Sequence, residues 1–298
     1  MAFWCFPVKH TSAAMDSTPQ LADWIGRSET REDWINPNQV AAWHATLDRD
    51  DAFPRAGEAL SPGFHWTLFA PLARQSQIGA DGHALRGGFL PPVALPRRMW
   101  AGGRLHLHQP LRVGDQVTRR SQIERVEAKQ GKAGQLVFVT VRHTLSTAAG
   151  VAIEEEQDIV YRQAPQAGAV ATSALAPVAA RGPWQRQMLA DAVLLFRYSA
   201  LTFNGHRIHY DRDYATGVEG YPGLVVHGPL LATLLLDLLR RQGLAERLQK
   251  FTFRALRPTF DNALFTVDGG PGDAPGHFRL WTTDNQGAAA MEAEAWLR

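Results

Sequence analysis

The pattern of apolar and polar positions in the first half of the chain predicts helices followed by strands. Apolar residues recur at helical spacing in residues 21–35, and residues 40–47 predict a second helix. Residues 75–96 are rich in Gly and Pro and predict a long loop. Runs enriched in β-branched and alternating apolar residues predict four strands, at 102–111, 115–129, 135–146 and 151–162.

The second half repeats this order. Pro229 stands at a natural first helical position, Arg240 and Arg241 fall in the last turn, and Gly243 follows the end. The helix between them is apolar on nearly every face, which predicts burial all round. Four strand-like runs come next, at 249–260, 263–268, 277–283 and 288–297.

Short links between strands favour antiparallel pairing, so the fold class is predicted to be α+β. A buried helix followed by about four antiparallel strands is typical of a sheet wrapped around a central helix, and two such units indicate a pseudo-dimer. Residues 163–182 are rich in Ala, Pro and Gly and carry almost no charge, which indicates a linker between the two units. The predicted organisation is a flexible extension at 1–20, an N-terminal domain at 21–162, a linker at 163–182 and a C-terminal domain at 183–298.

Composition narrows the class of protein. The 298 residues are 45% hydrophobic and 20% charged, as in ordinary globular proteins, and the net charge of +2 gives no reason to expect nucleic acid or a membrane as partner. No run approaches the roughly 18 apolar residues of a membrane span. The single cysteine excludes an internal disulfide, and the opening MAFWCFPV lacks the basic stretch of a secretory signal. We therefore expect a cytoplasmic protein.

Chemistry-bearing residues concentrate in the segment FNGHRIHYD, residues 203–211. Asn204 and His209 are five positions apart and can face one cavity from a tight turn. A neutral histidine can take a proton from water and return it, while the asparagine carbonyl can hold that water. Two other interpretations remain open: a polar turn that caps backbone groups, or a metal pair formed by His206 and His209 with Asp211 or His227. We favour the interpretation without a metal.

A second concentration, Val226-His227-Gly228-Pro229, begins the buried helix. The first turn of a helix leaves amide hydrogens unpaired and carries partial positive charge. Because Pro229 has no N–H and Gly228 allows close approach, the amide of Gly228 is predicted to stabilise a developing oxyanion, such as a thioester carbonyl becoming an enolate.

These two segments resemble the R-specific enoyl-CoA hydratases of the MaoC-like, hotdog-fold group. His209 and Asp211 match that group's motif, whereas Asn204 replaces its catalytic aspartate and Arg207 replaces its proline. The segments YSALTFNGHRIHYD and RGGFLPPVALPRRMWAGGRL are similar to the branch that contains mitochondrial 3-hydroxyacyl-thioester dehydratase and the mesaconyl-C4-CoA and itaconyl-CoA hydratases.

The resemblance implies a double hotdog whose C-terminal half is catalytic and whose N-terminal half shapes the acyl pocket. It implies reversible hydration of itaconyl-CoA or mesaconyl-C4-CoA to citramalyl-CoA, with His209 as general base and the Gly228 amide as oxyanion donor. Because the aspartate is replaced, either Asn204 only positions the water and His209 works as base and acid in turn, or another group supplies the proton. Alternatives are a 3-hydroxyacyl-thioester dehydratase acting on plain acyl chains and a non-catalytic acyl-CoA-binding hotdog.

Arginine can hold a substrate carboxylate through two parallel hydrogen bonds, or alternatively meet the phosphates of CoA. The predicted substrate-binding residues are Arg86, Arg97, Arg98, His206, Arg207, Val226 and His227. Beyond the CoA carried by the substrate no cofactor is expected, and hotdog sheets that extend across a two-fold interface lead us to expect a homodimer.

Overall fold

A computed structural model describes residues 21–131, 134–163 and 181–298. The predicted extension at 1–20 and most of the predicted linker at 163–182 lie outside these described residues. Within the described part, no helix combines the length and the apolar character needed to cross a membrane.

Three α-helices and ten strands make up the described fold. The helices are α1 (Pro37–Thr46), α2 (Ala192–Thr202) and α3 (Gly228–Arg241). The strands are β1 (Ser28–Trp34), β2 (Arg97–Leu107), β3 (Gln116–Gly131), β4 (Gly134–Thr147), β5 (Gly150–Arg162), β6 (Trp184–Met188), β7 (Leu248–Ala255), β8 (Phe265–Pro271), β9 (His277–Thr283) and β10 (Ala289–Leu297).

All ten strands form one antiparallel sheet in the order β1-β3-β4-β5-β2-β7-β10-β9-β8-β6. The order is mirrored about the β2–β7 pair, so β1 corresponds to β6, β3 to β8 and β5 to β10. Each half therefore has the same topology, and the two halves meet edge to edge. The predicted α+β pseudo-dimer is confirmed, with both halves joined in a continuous sheet.

The seam between the halves depends on two glycines of β2. A Cβ on Gly102 would lie 2.5 Å from the Phe253 carbonyl oxygen, and one on Gly103 would lie 2.7 Å from the ring of the same phenylalanine. Because real Cβ atoms do not approach other atoms so closely, the seam needs glycine at both positions.

The predicted helix at 21–35 is wrong. Only Leu21–Trp24 form a short 3₁₀ turn, and residues 28–34 form β1, which pairs with β3. Along β1 exposure alternates with period two, and Trp34 at its end is 61% exposed. The tryptophans that suggested one helical face therefore belong to two different elements. The short strand β6 was also not predicted.

The prediction of a buried helix in the second half is confirmed by α3, which is buried from Leu230 to Leu239. A charged group lies within this apolar stretch: Asp237 is 1% exposed and pairs with Arg49 at 2.8 Å. Three further arginines contact the same carboxylate, Arg186, Arg240 and Arg241. Since Arg49 belongs to the N-terminal half, this cluster fixes α3, and with it the start of the helix, against that half.

Candidate active site

The segment of residues 203–211, here the motif loop, is shaped by the end of α2. Phe203 adopts a left-handed conformation with φ of 51°, which ends the helix. Asn204 then donates its backbone N–H to the Ser199 carbonyl at 2.8 Å, and its side-chain oxygen accepts the backbone N–H of His206 at 2.9 Å. The side-chain oxygen of Asn204 thus stabilises the turn with one of its lone pairs. Its second lone pair can still accept a hydrogen bond from a water molecule.

His209 is held in one orientation by the chain that precedes α3. Its Nδ1 lies 2.7 Å from the carbonyl oxygen of Val225 and donates its hydrogen there, which leaves Nε2 unprotonated and able to accept a proton. The residue is 7% exposed, and burial lowers the pKa of His209 to about 4. The imidazole is therefore neutral at physiological pH, as a general base requires.

His227 supports His209 from below. The two rings stack with centroids 3.7 Å apart, and His227 Nε2 lies 2.8 Å from the hydroxyl of Ser199. His227 is 0% exposed and lines neither cavity described below. The sequence predicts a substrate contact for His227, but the start of α3 places this ring between α2 and His209, away from the lining of both cavities.

The Gly228 amide begins α3 and is available to a ligand. Among the described residues, no backbone or side-chain hydrogen bond uses its N–H, and Pro229 follows it. A Cβ at Gly228 would come within 3.5 Å of Trp100, which belongs to β2 of the N-terminal half. The N-terminal half thus forms the wall opposite the Gly228 amide.

One cavity of about 470 Å³ brings these groups together. Its walls include His209 and Gly228 from the C-terminal half and Trp100 from the N-terminal half, and we name it the catalytic cavity. A second cavity of about 840 Å³ adjoins it, and both are lined by His83 and Asn204. Val226 and His206, for which the sequence predicts substrate contacts, also line the catalytic cavity.

Sequence reasoning missed two residues of the N-terminal loop (residues 75–96). His83 lines both cavities, and its Nδ1 lies 3.0 Å from a carboxylate oxygen of Asp81. The ring centroid of His83 is 4.0 Å from that of His206 in the motif loop. The only signal was the adjoining segment from Arg86 onward, whose resemblance tied this part of the chain to the site.

The structure does not arrange His206 and His209 as the metal-binding pair that the sequence left as an alternative. The rings of His206 and His209 are perpendicular with centroids 5.4 Å apart, and His209 Nδ1 is engaged by a backbone carbonyl. Asp211 pairs with Arg207 at 2.7 Å. The group that could offer three ligand atoms is instead Asp81, His83 and His206, whose candidate atoms lie within 4.8 Å of one another.

Three of the predicted substrate-binding arginines have protein partners. Arg86 donates to the carbonyls of Val93, Leu95 and Pro96, which folds the N-terminal loop onto itself. Arg97 pairs with the Glu219 carboxylate at 2.8 Å. Arg207 pairs with Asp211 and donates to the Ala80 carbonyl at 3.0 Å. These contacts oppose the prediction that the three guanidinium groups meet substrate.

Arg98 differs from those three arginines. It lines both cavities, and among the described residues no carboxylate lies within 4.0 Å of its guanidinium. Arg119, which the sequence did not single out, also lines the catalytic cavity. Among the described residues its buried Nε has no hydrogen-bond partner, and its guanidinium carbon lies 4.4 Å from the centroid of the Phe69 ring. An anionic group of a ligand would therefore find positive charge here.

Comparison with known proteins agrees with this architecture. The pattern of the family described as hydroxyacyl-thioester dehydratase type 2 matches residues 63–261. The chain is 45% identical, over 284 residues, to a mesaconyl-C(4)-CoA hydratase of Chloroflexus aurantiacus, with 95% of this chain and 99% of that protein covered.

Solved structures support the fold. A MaoC-like dehydratase from Phytophthora capsici superposes with a TM-score of 0.66 at 15% identity, covering 93% of this chain and 98% of the other. A double-hotdog protein from Mycobacterium tuberculosis gives a TM-score of 0.57 at 13% identity, covering 94% and 98%. The chain therefore belongs to the hydroxyacyl-thioester dehydratase type 2 family and is a hydro-lyase with a double-hotdog fold.

Proposed function

We propose that this enzyme hydrates a short, branched, dicarboxylic enoyl-CoA, mesaconyl-C4-CoA or itaconyl-CoA, to citramalyl-CoA, and catalyses the reverse dehydration. The observation that carries the proposal is the convergence of an unprotonated His209 Nε2 and an unused Gly228 N–H on one cavity. The high identity to a mesaconyl-C(4)-CoA hydratase over nearly the whole chain supports the substrate class.

The chemistry follows from these two groups. His209 Nε2 takes a proton from water as the water oxygen adds to the β-carbon of the enoyl thioester. The electron pair of the double bond moves toward the thioester oxygen, where the Gly228 amide at the positive end of α3 stabilises the enolate. Protonation of the α-carbon completes the hydration. Asn204 can orient the water but has no acidic proton to give.

Arg98 is the retained candidate for the second carboxylate of the substrate. Its guanidinium faces both cavities without a carboxylate partner of its own, so binding a substrate carboxylate would give it one. A plain acyl chain offers no such group. The unpaired arginine therefore favours a dicarboxylic substrate over the alternative of a plain 3-hydroxyacyl chain.

The test compares mesaconyl-C4-CoA, itaconyl-CoA and crotonyl-CoA with the purified enzyme, by loss of enoyl absorbance and by chromatography of the product. We expect turnover of a dicarboxylic substrate to exceed that of crotonyl-CoA. The His209→Asn variant should bind the CoA ester but lose turnover by about 10²- to 10⁴-fold, the usual contribution of a general base. Preference for crotonyl-CoA would favour the plain-chain dehydratase, and the absence of turnover on all three would favour a non-catalytic binding protein.

A further inference from the structure

The inner face of the N-terminal sheet contains an arginine where a pocket for a plain acyl chain calls for an apolar residue. Residues two apart on a strand point to the same face, and along β3 Val117, Ser121 and Ile123 are each at most 1% exposed. Arg119 shares this inner face and lines the catalytic cavity. A charged group in such a place is costly unless something pairs with it.

The charge of Arg119 has no such partner within the part of the chain that the structure describes. No carboxylate there lies within 4.0 Å of its guanidinium, and its buried Nε has no hydrogen-bond partner. Burial, and after it the charge of Arg31, lowers the pKa of Arg119, but an arginine stays protonated at neutral pH. The charged residues of β1 and β3 that line the cavity are Glu29, Arg31 and Arg119, two positive charges against one negative. An anion would therefore bind favourably here.

Phe69 orients the Arg119 guanidinium, whose carbon lies over the Phe69 ring at 4.4 Å from its centroid. Phe69 has a left-handed backbone with φ of 61°, which is strained for a bulky residue. Its backbone N–H donates to the Asp33 carboxylate at 2.6 Å, and its carbonyl accepts from Arg31 at 3.1 Å. Strand β1 thus fixes the ring, and the ring leaves the N–H edge of the guanidinium free to bind a ligand.

Gln157 adds neutral hydrogen-bond donors to the same end of the cavity. Nε2 of His143 lies 3.1 Å from the Gln157 side-chain oxygen, and Nδ1 lies 2.8 Å from the Ser121 hydroxyl. Burial lowers the pKa of His143, so the ring is neutral, donates from Nε2 and accepts from Ser121. With its oxygen engaged, Gln157 keeps its NH₂ group for a ligand, since no hydrogen bond among the described residues uses it. Both His143 and Gln157 line the cavity.

This polar end lies away from the reacting groups. Trp100, which faces the Gly228 amide, pairs with Ile159 of β5, and Gln157 lies two residues before Ile159 on that strand. A strand rises about 3.3 Å per residue, so Gln157 is roughly 7 Å along the sheet from the row of Trp100. Arg119 is on β3, two strands beyond β5, and strands lie about 4.8 Å apart, which places its backbone roughly 10 Å further across the sheet. A ligand group must therefore extend well past the thioester to reach it.

We propose that the cavity also accepts straight-chain enoyl-CoA esters whose acyl chain ends in a carboxylate, and that Arg119 and the Gln157 amide bind this terminal carboxylate. The inference rests on the hydration chemistry of the proposed function but not on its branched C5 substrate. Citramalyl-CoA carries its carboxylate on the β-carbon, so that group stays beside His209, at the end of the cavity where Arg98 lies. Only a longer chain brings a carboxylate to Arg119.

The reaction on such a chain is the same addition of water. One O–H bond of water breaks, the oxygen bonds to the β-carbon, and the proton goes to His209 Nε2. The π electrons of the double bond form the enolate at the Gly228 amide, and the α-carbon then takes a proton. One water is added overall, and the terminal carboxylate does not react.

The experiment compares ligands of equal length that differ only at the chain end. Calorimetry gives the Kd of hexanedioyl-, octanedioyl- and decanedioyl-CoA, each against the plain acyl-CoA of the same length, and kcat/KM is measured on the matching enoyl esters. The proteins are wild type, Arg119→Gln, Gln157→Glu and the control Arg120→Gln. Arg120 is the next residue of β3, is exposed, and lines neither cavity.

We expect wild type to bind at least one dicarboxylic ester about tenfold or more tightly than its plain partner, and Arg119→Gln to lower this preference by about 10- to 100-fold. Gln157→Glu should lower it too, because the new carboxylate pairs with Arg119 and repels the ligand. Arg120→Gln should keep the wild-type preference. A ratio of two ligands on one variant cancels any general loss of affinity, and Gln157→Glu gives the answer if Arg119→Gln does not fold.

Three results would overturn the inference: no preference by wild type for the terminal carboxylate at any length, a preference that persists in both Arg119→Gln and Gln157→Glu, or a preference lost only in Arg98→Gln. Failure of the proposed function shows differently, as absence of hydration of mesaconyl-C4-CoA and itaconyl-CoA by wild type. The binding comparison needs no turnover, so it decides the inference in that case as well.

Discussion

The pH dependence of hydration tests the state of His209 directly. Burial lowers its pKa to about 4, and only the neutral imidazole accepts the proton of water, so activity should be lost as the pH falls through about 4. At pH 5 a histidine with that pKa stays about 90% neutral, whereas one with the ordinary pKa of about 6.5 would be only about 3% neutral. The two cases therefore differ about 30-fold in the rate at pH 5.

The assay measures kcat/KM for hydration from pH 4.5 to pH 8. Enzyme held at each pH is also returned to pH 7 and assayed again, so that irreversible unfolding is recognised. We expect kcat/KM at pH 5 to be at least about half of the highest value measured across this pH range. A half-maximal rate near pH 6.5 would show that water reaches His209 freely or that another group is the base, and the reasoning from burial would be refuted.

Further predictions concern substrate charge, stability and the loop contact. Arg98→Gln should lower kcat/KM for mesaconyl-C4-CoA by about 10- to 100-fold and leave kcat/KM for crotonyl-CoA unchanged. The control Arg104→Gln, on the same strand, should change neither value. Equal losses on both substrates would reject the carboxylate role of Arg98. Asp237→Asn should lower the free energy of unfolding, measured by urea titration, by about 3 kcal/mol. The control Asp273→Asn, at an exposed ion pair, should lower it by less than about 1 kcal/mol. Similar losses for the two variants would show that the buried cluster does not stabilise the fold. Gly82→Ala should reduce turnover by at least about tenfold by displacing the N-terminal loop, because a Cβ there would lie 1.8 Å from the Gly205 carbonyl oxygen, and a wild-type rate would contradict that close contact.

Local signals decided which elements the sequence could predict. Helix α3 carries a proline at its start, basic residues in its last turn and a glycine beyond its end, and these signals predict the bounds of the helix to within one residue. The sequence predicts helix where strand β1 lies, because Trp24 and Trp34 have helical spacing although the chain turns at Gly26 between them. Spacing alone cannot reveal such a turn.

The candidate site was predicted in part. His209 and Gly228 each lie in a short motif that is visible within a single stretch of sequence, and the structure brings both residues to one cavity. Asp81 and His83 lie more than a hundred residues away, and only the packing of the two halves places them beside the motif loop. The sequence could not distinguish Arg86 from Arg98 as a substrate-binding residue. Arg86 is engaged by backbone carbonyls of the folded loop, and those contacts exist only once the chain has folded.

The β2–β7 seam determines when the chain first becomes an enzyme. One side of the seam contributes Trp100 and the loop with His83, and the other contributes His209 and the start of α3. A folding intermediate in which a single half is complete consequently has no assembled reaction chamber, however native its own strands are. Catalytic competence can arise only with docking, so recovery of turnover during refolding reports the joining of the halves and not the formation of either one.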